Sequence, residues 1–137
     1  MEDISRFIGI KHYFGESSFE KCDCLGLCRL FYREHGWKGA LYDGKPDPDK
    51  DNFSSFGAWR RLYTWCLKNM DRVDYDDLQF GDFIIFRVAN CLHTGLYVNY
   101  GKLLSMQIPT EYGVSESTLY HRKWWKQFYL YSFRRRK

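Results

Sequence analysis

The chain has 137 residues, of which 45% are hydrophobic and 28% are charged, a composition typical of one folded domain and unlike that of a disordered chain. The longest uncharged run, residues 88–101, has 14 residues and contains Asn, His and Thr, so the sequence predicts no membrane-spanning segment. The net charge is +4, but residues 122–137 contain seven Lys or Arg and no Asp or Glu. We expect this basic C-terminal end to be a solvated terminus, with contact to an anionic surface as the alternative.

The five cysteines predict free thiols. Their number is odd, and Cys22, Cys24 and Cys28 lie within seven residues, which argues against a disulfide framework. Their spacing lacks the paired ligands of a zinc site, so no metal and no cofactor are predicted. A reversible disulfide between Cys22 and Cys24 is a separate hypothesis.

The N-terminus also lacks the pattern of a secretion signal. Glu2 and Asp3 precede a very short apolar patch, where a signal would have a basic start and a longer apolar core. Unless a leader has been removed, we expect the chain to be made and kept in a cytosol.

Two helices are predicted in the first half of the chain. Residues 24–35 have apolar side chains at helical spacing, with Asp23 as the N-cap and Gly36 just after the last turn. Residues 38–52 are rich in Gly, Pro and Asp and predict a long loop. Three aspartates in it resemble a calcium loop, but Asn52 stands in place of the turn glycine and Ala58 in place of the bidentate glutamate. The second helix, residues 56–70, is expected to begin after Ser54 or Ser55 and to bury a stripe that includes Phe56, Trp59, Tyr63, Cys66 and Met70.

The second half predicts an antiparallel sheet. Period-two patterns indicate strands at residues 82–88, 93–100 and 102–108, with a tight corner at 99–101. A short polar or helical piece, residues 116–126, leads to a last strand at 127–133. The fold class is therefore α+β, with the helices packed on one side of a mostly antiparallel sheet.

One cysteine stands where a nucleophile would be activated. Cys24 begins the first helix, where unpaired backbone N–H groups and the positive end of the helix dipole lower a thiol pKa and bind an oxyanion. A thiol nucleophile also needs a neutral imidazole from another element. His35 lies on the same helix and His121 has no pattern around it, which leaves His12 and His93. We favour His93, because it begins a strand and Gly95, on the same face, leaves room for a substrate.

Four motifs in order resemble one family. They are Tyr13-Phe14-Gly15, then Asp23-Cys24-Leu25-Gly26-Leu27, then Leu78-Gln79-Phe80-Gly81-Asp82, then His93-Thr94-Gly95-Leu96-Tyr97. Together they resemble the NlpC-type papain-like cysteine peptidases, bacterial and phage cell-wall endopeptidases. The resemblance covers about residues 12–106 and implies a papain-like fold, with the chain, residues 1–137, as a single domain, Cys24 as nucleophile and His93 as general base. It also places Tyr13 at the cleft, and Tyr97 is expected to border the same site.

The third catalytic position departs from the family pattern. The family's polar residue, often His, lies twelve residues after the base, where this chain has Ser105. Gln107 lies on the same face of the strand, and its side-chain carbonyl can accept a hydrogen bond from His93. We favour Gln107 slightly, with Ser105 or a backbone carbonyl as alternatives.

The resemblance implies a hydrolase that cleaves an amide bond in peptidoglycan stem peptides, most commonly the γ-D-glutamyl–diamino acid bond. Without a signal peptide or a wall-binding repeat, the chain looks more like phage tail-associated members, so the expected location is the virion and the expected partners are other tail proteins. Neither nucleic acid nor membrane is an expected partner. A non-catalytic tail subunit that docks through Trp124, Trp125, Phe128 and Tyr129 is the alternative, and a related thiol acyltransferase or an antibacterial effector is a third.

Overall fold

A computed structural model describes residues 2–107 and 115–137. The helices are α1 (Cys24–Glu34), α2 (Phe56–Asn69) and α3 (Arg122–Trp125). The strands are β1 (Lys11–His12), β2 (Lys21–Cys22), β3 (Met70–Arg72), β4 (Phe83–Val88), β5 (Cys91–Tyr97), β6 (Leu103–Met106), β7 (Ser117–Tyr120) and β8 (Tyr129–Arg135).

The sheet is antiparallel and its strand order is β3-β8-β4-β5-β6-β7. β4 to β7 form a meander, of which the sequence predicts β4, β5 and β6. β8 returns to lie between β3 and β4, so the last strand of the chain is inside the sheet. β1 and β2 pair in parallel as a separate two-stranded ladder. The α+β class with a mostly antiparallel sheet is confirmed.

The predicted elements agree with the structure to within a few residues. Both long helices begin at the expected N-caps, where the side chains of Asp23 and Ser55 accept hydrogen bonds from the backbone N–H groups of Gly26 and Ala58. The piece at 116–126 contains β7 and α3, and the predicted strands 93–100 and 127–133 are displaced by about two residues. The predicted end of the strand 102–108, Ile108, lies outside the described residues.

The sheet has a core on each face. The larger core lies under α1 and α2 and includes Leu27, Phe31, Phe83 and Leu96. A smaller core joins Ile84, Phe86 and Leu103 to Trp125 of α3. The expectation that all helices pack on one side is therefore incomplete, because α3 covers the second face. Two side chains also differ from the helical patterns: Phe56 is 75% exposed, and Arg29 of α1 is only 8% exposed.

Six of the seven basic side chains of the C-terminal end are exposed, as expected of a solvated terminus, but Arg134 is partly buried and the end contributes a strand to the sheet. Residues 129–135 form β8, and Arg134 makes a two-pronged ion pair with Asp82, with both N–O distances 2.9 Å. Arg135 donates to the backbone carbonyl of His35, and Arg136 donates to Asp71 and to Lys68 O. The terminal arginines therefore connect β8 to the start of β4, to β3 and to the C-terminal ends of α1 and α2.

Candidate active site

Cys24 is the first residue of α1, and its position is fixed by the preceding aspartate. Asp23 Oδ1 accepts from Gly26 N–H at 2.6 Å and Oδ2 accepts from Gly15 N–H at 2.8 Å. The backbone N–H of Asp23 donates to Glu16 O at 3.2 Å. One carboxylate therefore caps the helix and ties the segment before β2 to its first turn.

Gly26 is required by this close packing. A Cβ atom there would lie 2.0 Å from the carbonyl oxygen of Glu16, a distance that no side chain tolerates. Ser17 Oγ donates to Gly26 O at 2.7 Å, which closes the same contact from the other side. The glycine of the Asp-Cys-x-Gly-Leu motif thus lets residues 15–17 lie directly against the helix start.

The thiol of Cys24 is neutral in the resting site. Burial and the nearby carboxylate of Asp23 raise its pKa to about 11, while hydrogen bonds from the backbone N–H and hydroxyl of Thr94 and from Leu25 N–H offset part of this effect. Thr94 Oγ1 also lies 3.7 Å from Cys28 Sγ. The helix start and Thr94 favour the thiolate, but at neutral pH they do not outweigh burial beside a carboxylate.

His93 is also neutral at neutral pH. It lies in β5 opposite Phe86 of β4, and the two rings stack with centroids 5.5 Å apart. Burial lowers the pKa of His93 below the usual value of 6.5, and the charge of His12 lowers it further. An imidazole in this state can accept the thiol proton.

Cys24 and His93 line one cavity of about 290 Å³. His12, Thr94 and Gln107 lie in the same lining, as do side chains from α2 and from the loop between α1 and α2. Among the described residues no hydrogen bond joins the two groups: Thr94 contacts the thiol, and the His93 ring stacks on Phe86, so proton transfer requires the imidazole to approach Cys24 Sγ. A thiol and a neutral imidazole at one concave site are nevertheless the two groups that nucleophilic amide or ester cleavage needs.

Within the described residues, no three His, Cys, Asp or Glu side chains are grouped as a metal site. No helix in the same part of the chain has both the length and the apolar character required to cross a bilayer.

The model of the NlpC/P60 family matches residues 9–134, which is most of the chain. The chain belongs to the NlpC/P60 family. Members are generally cysteine peptidases or amidases associated with the cell wall. No curated protein matches the chain.

Two solved structures share the NlpC/P60 fold of this chain. An NLP/P60-family protein from Staphylococcus aureus, described as similar to lipoprotein, has 16% sequence identity and a TM-score of 0.59 over 96% of this chain and 38% of its own. NlpC1 from Trichomonas vaginalis has 20% identity and a TM-score of 0.53, with 93% and 39% covered. The chain therefore spans less than two fifths of the length of either protein.

Neither candidate for the third NlpC/P60 catalytic position is hydrogen-bonded to His93 in the structure. Ser105 is buried, and its Oγ donates to Thr94 O at 2.8 Å. Gln107 lines the cavity, but its Oε1 accepts from Glu116 N–H at 3.3 Å. Both side chains therefore form hydrogen bonds with backbone groups and not with the imidazole of His93.

The two tyrosines expected at the substrate cleft, Tyr13 and Tyr97, do not line the cavity. Tyr13 is 55% exposed, and its ring packs on Lys21 Nζ at 4.1 Å. Tyr97 packs against Trp125 in the second core, because strand alternation turns it to that face. The space at Gly95, expected to admit substrate, is filled by β6: a Cβ there would lie 2.7 Å from the Leu103 side chain.

Sequence reasoning missed Thr94 and left His12 undecided. Thr94 contacts the Cys24 thiol because its side chain points to α1, on the face of β5 opposite to Phe86. Period-two alternation along β5, counted from His93, could have indicated this orientation. His12 reaches the cavity because β1 pairs with β2 immediately before α1. Two-residue strands have too little pattern to reveal this from sequence.

Proposed function

We propose that the chain is a thiol hydrolase that cleaves an amide bond in peptidoglycan stem peptides. The observation that carries the proposal is the shared cavity of Cys24, at the start of α1, and His93, at the entry of β5, in a chain that belongs to the NlpC/P60 family. The γ-D-glutamyl–diamino acid bond is the first target to examine.

The mechanism starts from the neutral pair. As Cys24 Sγ attacks the carbonyl carbon, His93 accepts the thiol proton, so the thiolate forms only during attack. The oxyanion is stabilised by the N–H groups at the start of α1. His93 then donates its proton to the leaving amine, the C–N bond breaks, and water hydrolyses the thioester to release the acid and the thiol.

The test is digestion of purified cell wall, with the released fragments identified by mass spectrometry. Cys24→Ala and His93→Gln should abolish release, while Cys91→Ala, which removes an exposed cysteine from the far end of the β4–β5 hairpin, should leave it unchanged. Unchanged release by the folded Cys24→Ala protein would contradict the proposal. The fragment masses identify the bond that is cut.

We further propose that the protein acts in a phage tail, where it opens the wall locally or contacts other tail proteins. The supporting observation is the set of four motifs, which resemble those of bacterial and phage cell-wall endopeptidases. Immunogold labelling of virions with antibody to this chain would test it, and an unlabelled tail would contradict it.

One observation favours a non-catalytic tail subunit as the second candidate: neither Ser105 nor Gln107 contacts His93. The docking surface proposed for that subunit needs revision, because Trp125 is fully buried and Trp124 stacks on Tyr120 with centroids 4.2 Å apart. Acetylation by p-nitrophenyl acetate at pH 8, followed by intact mass in a Cys91→Ala background, separates the two functions. A catalytic Cys24 forms the thioester much faster when His93 is present than in His93→Gln, whereas in a structural subunit the two proteins react alike.

A further inference from the structure

The cavity beside Cys24 is mainly apolar. One wall of the cavity belongs to α2, and a second wall belongs to the loop that precedes α2. The remaining lining residues come from residues 12–15, from the start of α1 and from β4, β5 and β6. The apolar lining residues are Phe14, Leu25, Leu41, Phe53, Ala58, Trp59, Leu62, Trp65, Ile85, Leu92 and Met106. Contact with such surfaces stabilises a hydrocarbon group and disfavours a charged one.

Most charged groups in this lining bind one another. Arg29 holds Asp47 with N–O distances of 2.8 and 3.0 Å and also donates to Leu41 O. Arg61 holds Asp43 at 2.8 and 2.9 Å. Asp23 caps α1, and Lys50 is also in the lining.

The two ion pairs have a structural consequence for the cavity. Arg29 belongs to α1 and Arg61 to α2, whereas Asp43 and Asp47 belong to the loop between these helices. The pairs therefore hold the loop against both helices and keep its apolar wall in place before any ligand binds. A preformed apolar pocket loses little free energy to ordering when it is filled.

His93, itself in the lining, divides this cavity between the two sides of the substrate. His93 must protonate the leaving group, so that group lies next to the imidazole, at β5. The acyl group stays bonded to Cys24 Sγ and is left with the space towards α2 and the loop.

We propose that this pocket binds an aliphatic acyl chain carried by the carbonyl that Cys24 attacks. The inference rests on the thiol chemistry proposed above but not on the γ-D-glutamyl target, whose acyl group carries a carboxylate that this apolar wall disfavours. The cavity volume of about 290 Å³ is roughly twice that of a 150 Å³ apolar cavity that holds benzene, which leaves room for a medium-length chain.

The first experiment measures acylation by p-nitrophenyl acetate, butanoate and hexanoate. Sγ displaces p-nitrophenolate to form a thioester, and water then releases the carboxylic acid. Each buried methylene should raise kcat/KM about threefold to fourfold, so hexanoate should react at least roughly tenfold faster than acetate after the Cys24→Ala background is subtracted. Equal rates for the three esters would overturn the proposal.

Ala58→Phe tests the location. Ala58 faces the cavity from α2, and the added ring would occupy the space of the chain. The hexanoate rate should fall about tenfold while the acetate rate changes less than about twofold. Leu67→Phe adds a ring to the same helix at a position that is 48% exposed, and should change neither rate.

A second set of esters separates an acyl chain from an apolar amino-acid side chain. The p-nitrophenyl esters of N-acetylglycine and N-acetylleucine compare the two sources at constant backbone. A gain with leucine and none along the aliphatic series would overturn the acyl-chain proposal and assign the pocket to a peptide side chain.

Binding to the Cys24→Ala protein distinguishes failure of the pocket from failure of the thiol chemistry. Hexanoyl-glycinamide should bind at least tenfold more tightly than acetyl-glycinamide by calorimetry. Equal affinities overturn the pocket. Tight hexanoyl binding with no ester reacting in the wild type supports the pocket and contradicts the proposed hydrolase.

Discussion

At the scale of single residues, the pair of histidines in the cavity sets the pH range of the reaction. Burial, and to a smaller extent the charge of His12, lower the pKa of His93 below 6.5. A base must be neutral, so activity is present above this lowered pKa and is lost as the pH falls through it.

His12→Asn removes one of these two causes. The pKa of His93 should rise towards 6.5, and the acidic half-maximum of kcat/KM should move to higher pH with the rate at pH 8 little changed. A pH–rate profile with the p-nitrophenyl hexanoate substrate measures the shift. His121→Asn, outside the cavity lining, is the control, and an unmoved acidic limb in His12→Asn would contradict the assignment.

Ser105 is predicted to stabilise the sheet and not to orient the base. Ser105→Ala leaves the buried carbonyl of Thr94 without the 2.8 Å hydrogen bond, which should cost about 1–2 kcal/mol in the free energy of unfolding. Urea denaturation measures this loss. The turnover rate should stay within about threefold of the wild type, since a lost catalytic residue typically costs roughly a hundredfold or more. A large fall in kcat without loss of stability would instead make Ser105 the third catalytic residue.

At the scale of the elements, the start of α1 holds two opposing effects on one thiol. The N–H groups of the first turn favour the thiolate, while the carboxylate of Asp23, which caps the same turn, raises the pKa of Cys24. The cap therefore stabilises the helix and disfavours the reactive form of its first residue.

Asp23→Asn should separate the two effects. Asparagine retains an acceptor for Gly26 N–H, and losing the negative charge should lower the pKa of Cys24 and increase its thiolate fraction at pH 8. We expect alkylation of Cys24, followed by intact mass in a Cys91→Ala background, to become several times faster. Because Gly15 N–H loses its acceptor, the protein should lose about 1 kcal/mol of stability. Unchanged alkylation would mean that burial alone sets the thiol pKa.

The same elements show what the sequence could and could not predict. The helix bounds were predictable because their signals are local: Asp23 and Ser55 each bind a backbone N–H three residues on. β4, β5 and β6 were predictable from period-two alternation, whereas β7 lies in a segment expected to be polar or helical. The loop geometry was not, because it depends on Arg29 and Arg61 meeting aspartates 18 residues away in each case. The burial of Arg29, which lies off the apolar stripe of α1, has the same cause.

At the scale of the whole molecule, the last strand closes the fold. β8 lies between β3 and β4, so the sheet is incomplete until the end of the chain is in place. The basic end is mostly exposed, as interpreted, but the ion pair of Arg134 was not predictable because a contact across 52 positions leaves no local signal. Asp82, whose side chain is 1% exposed, is the buried partner of Arg134.

Arg134→Met should therefore destabilise the protein strongly. It leaves the buried carboxylate of Asp82 without its guanidinium, and also removes the 2.7 Å hydrogen bond to Asp77 O. Because Arg134 is 31% exposed, we expect a loss of about 2–3 kcal/mol, near the lower end of the range for breaking a buried ion pair. Urea denaturation of Lys137→Met, which removes one charge from the exposed end of the same segment, is the control and should show little change. Equal stability of the two variants would extend the interpretation of residues 122–137 as a solvated basic end to Arg134.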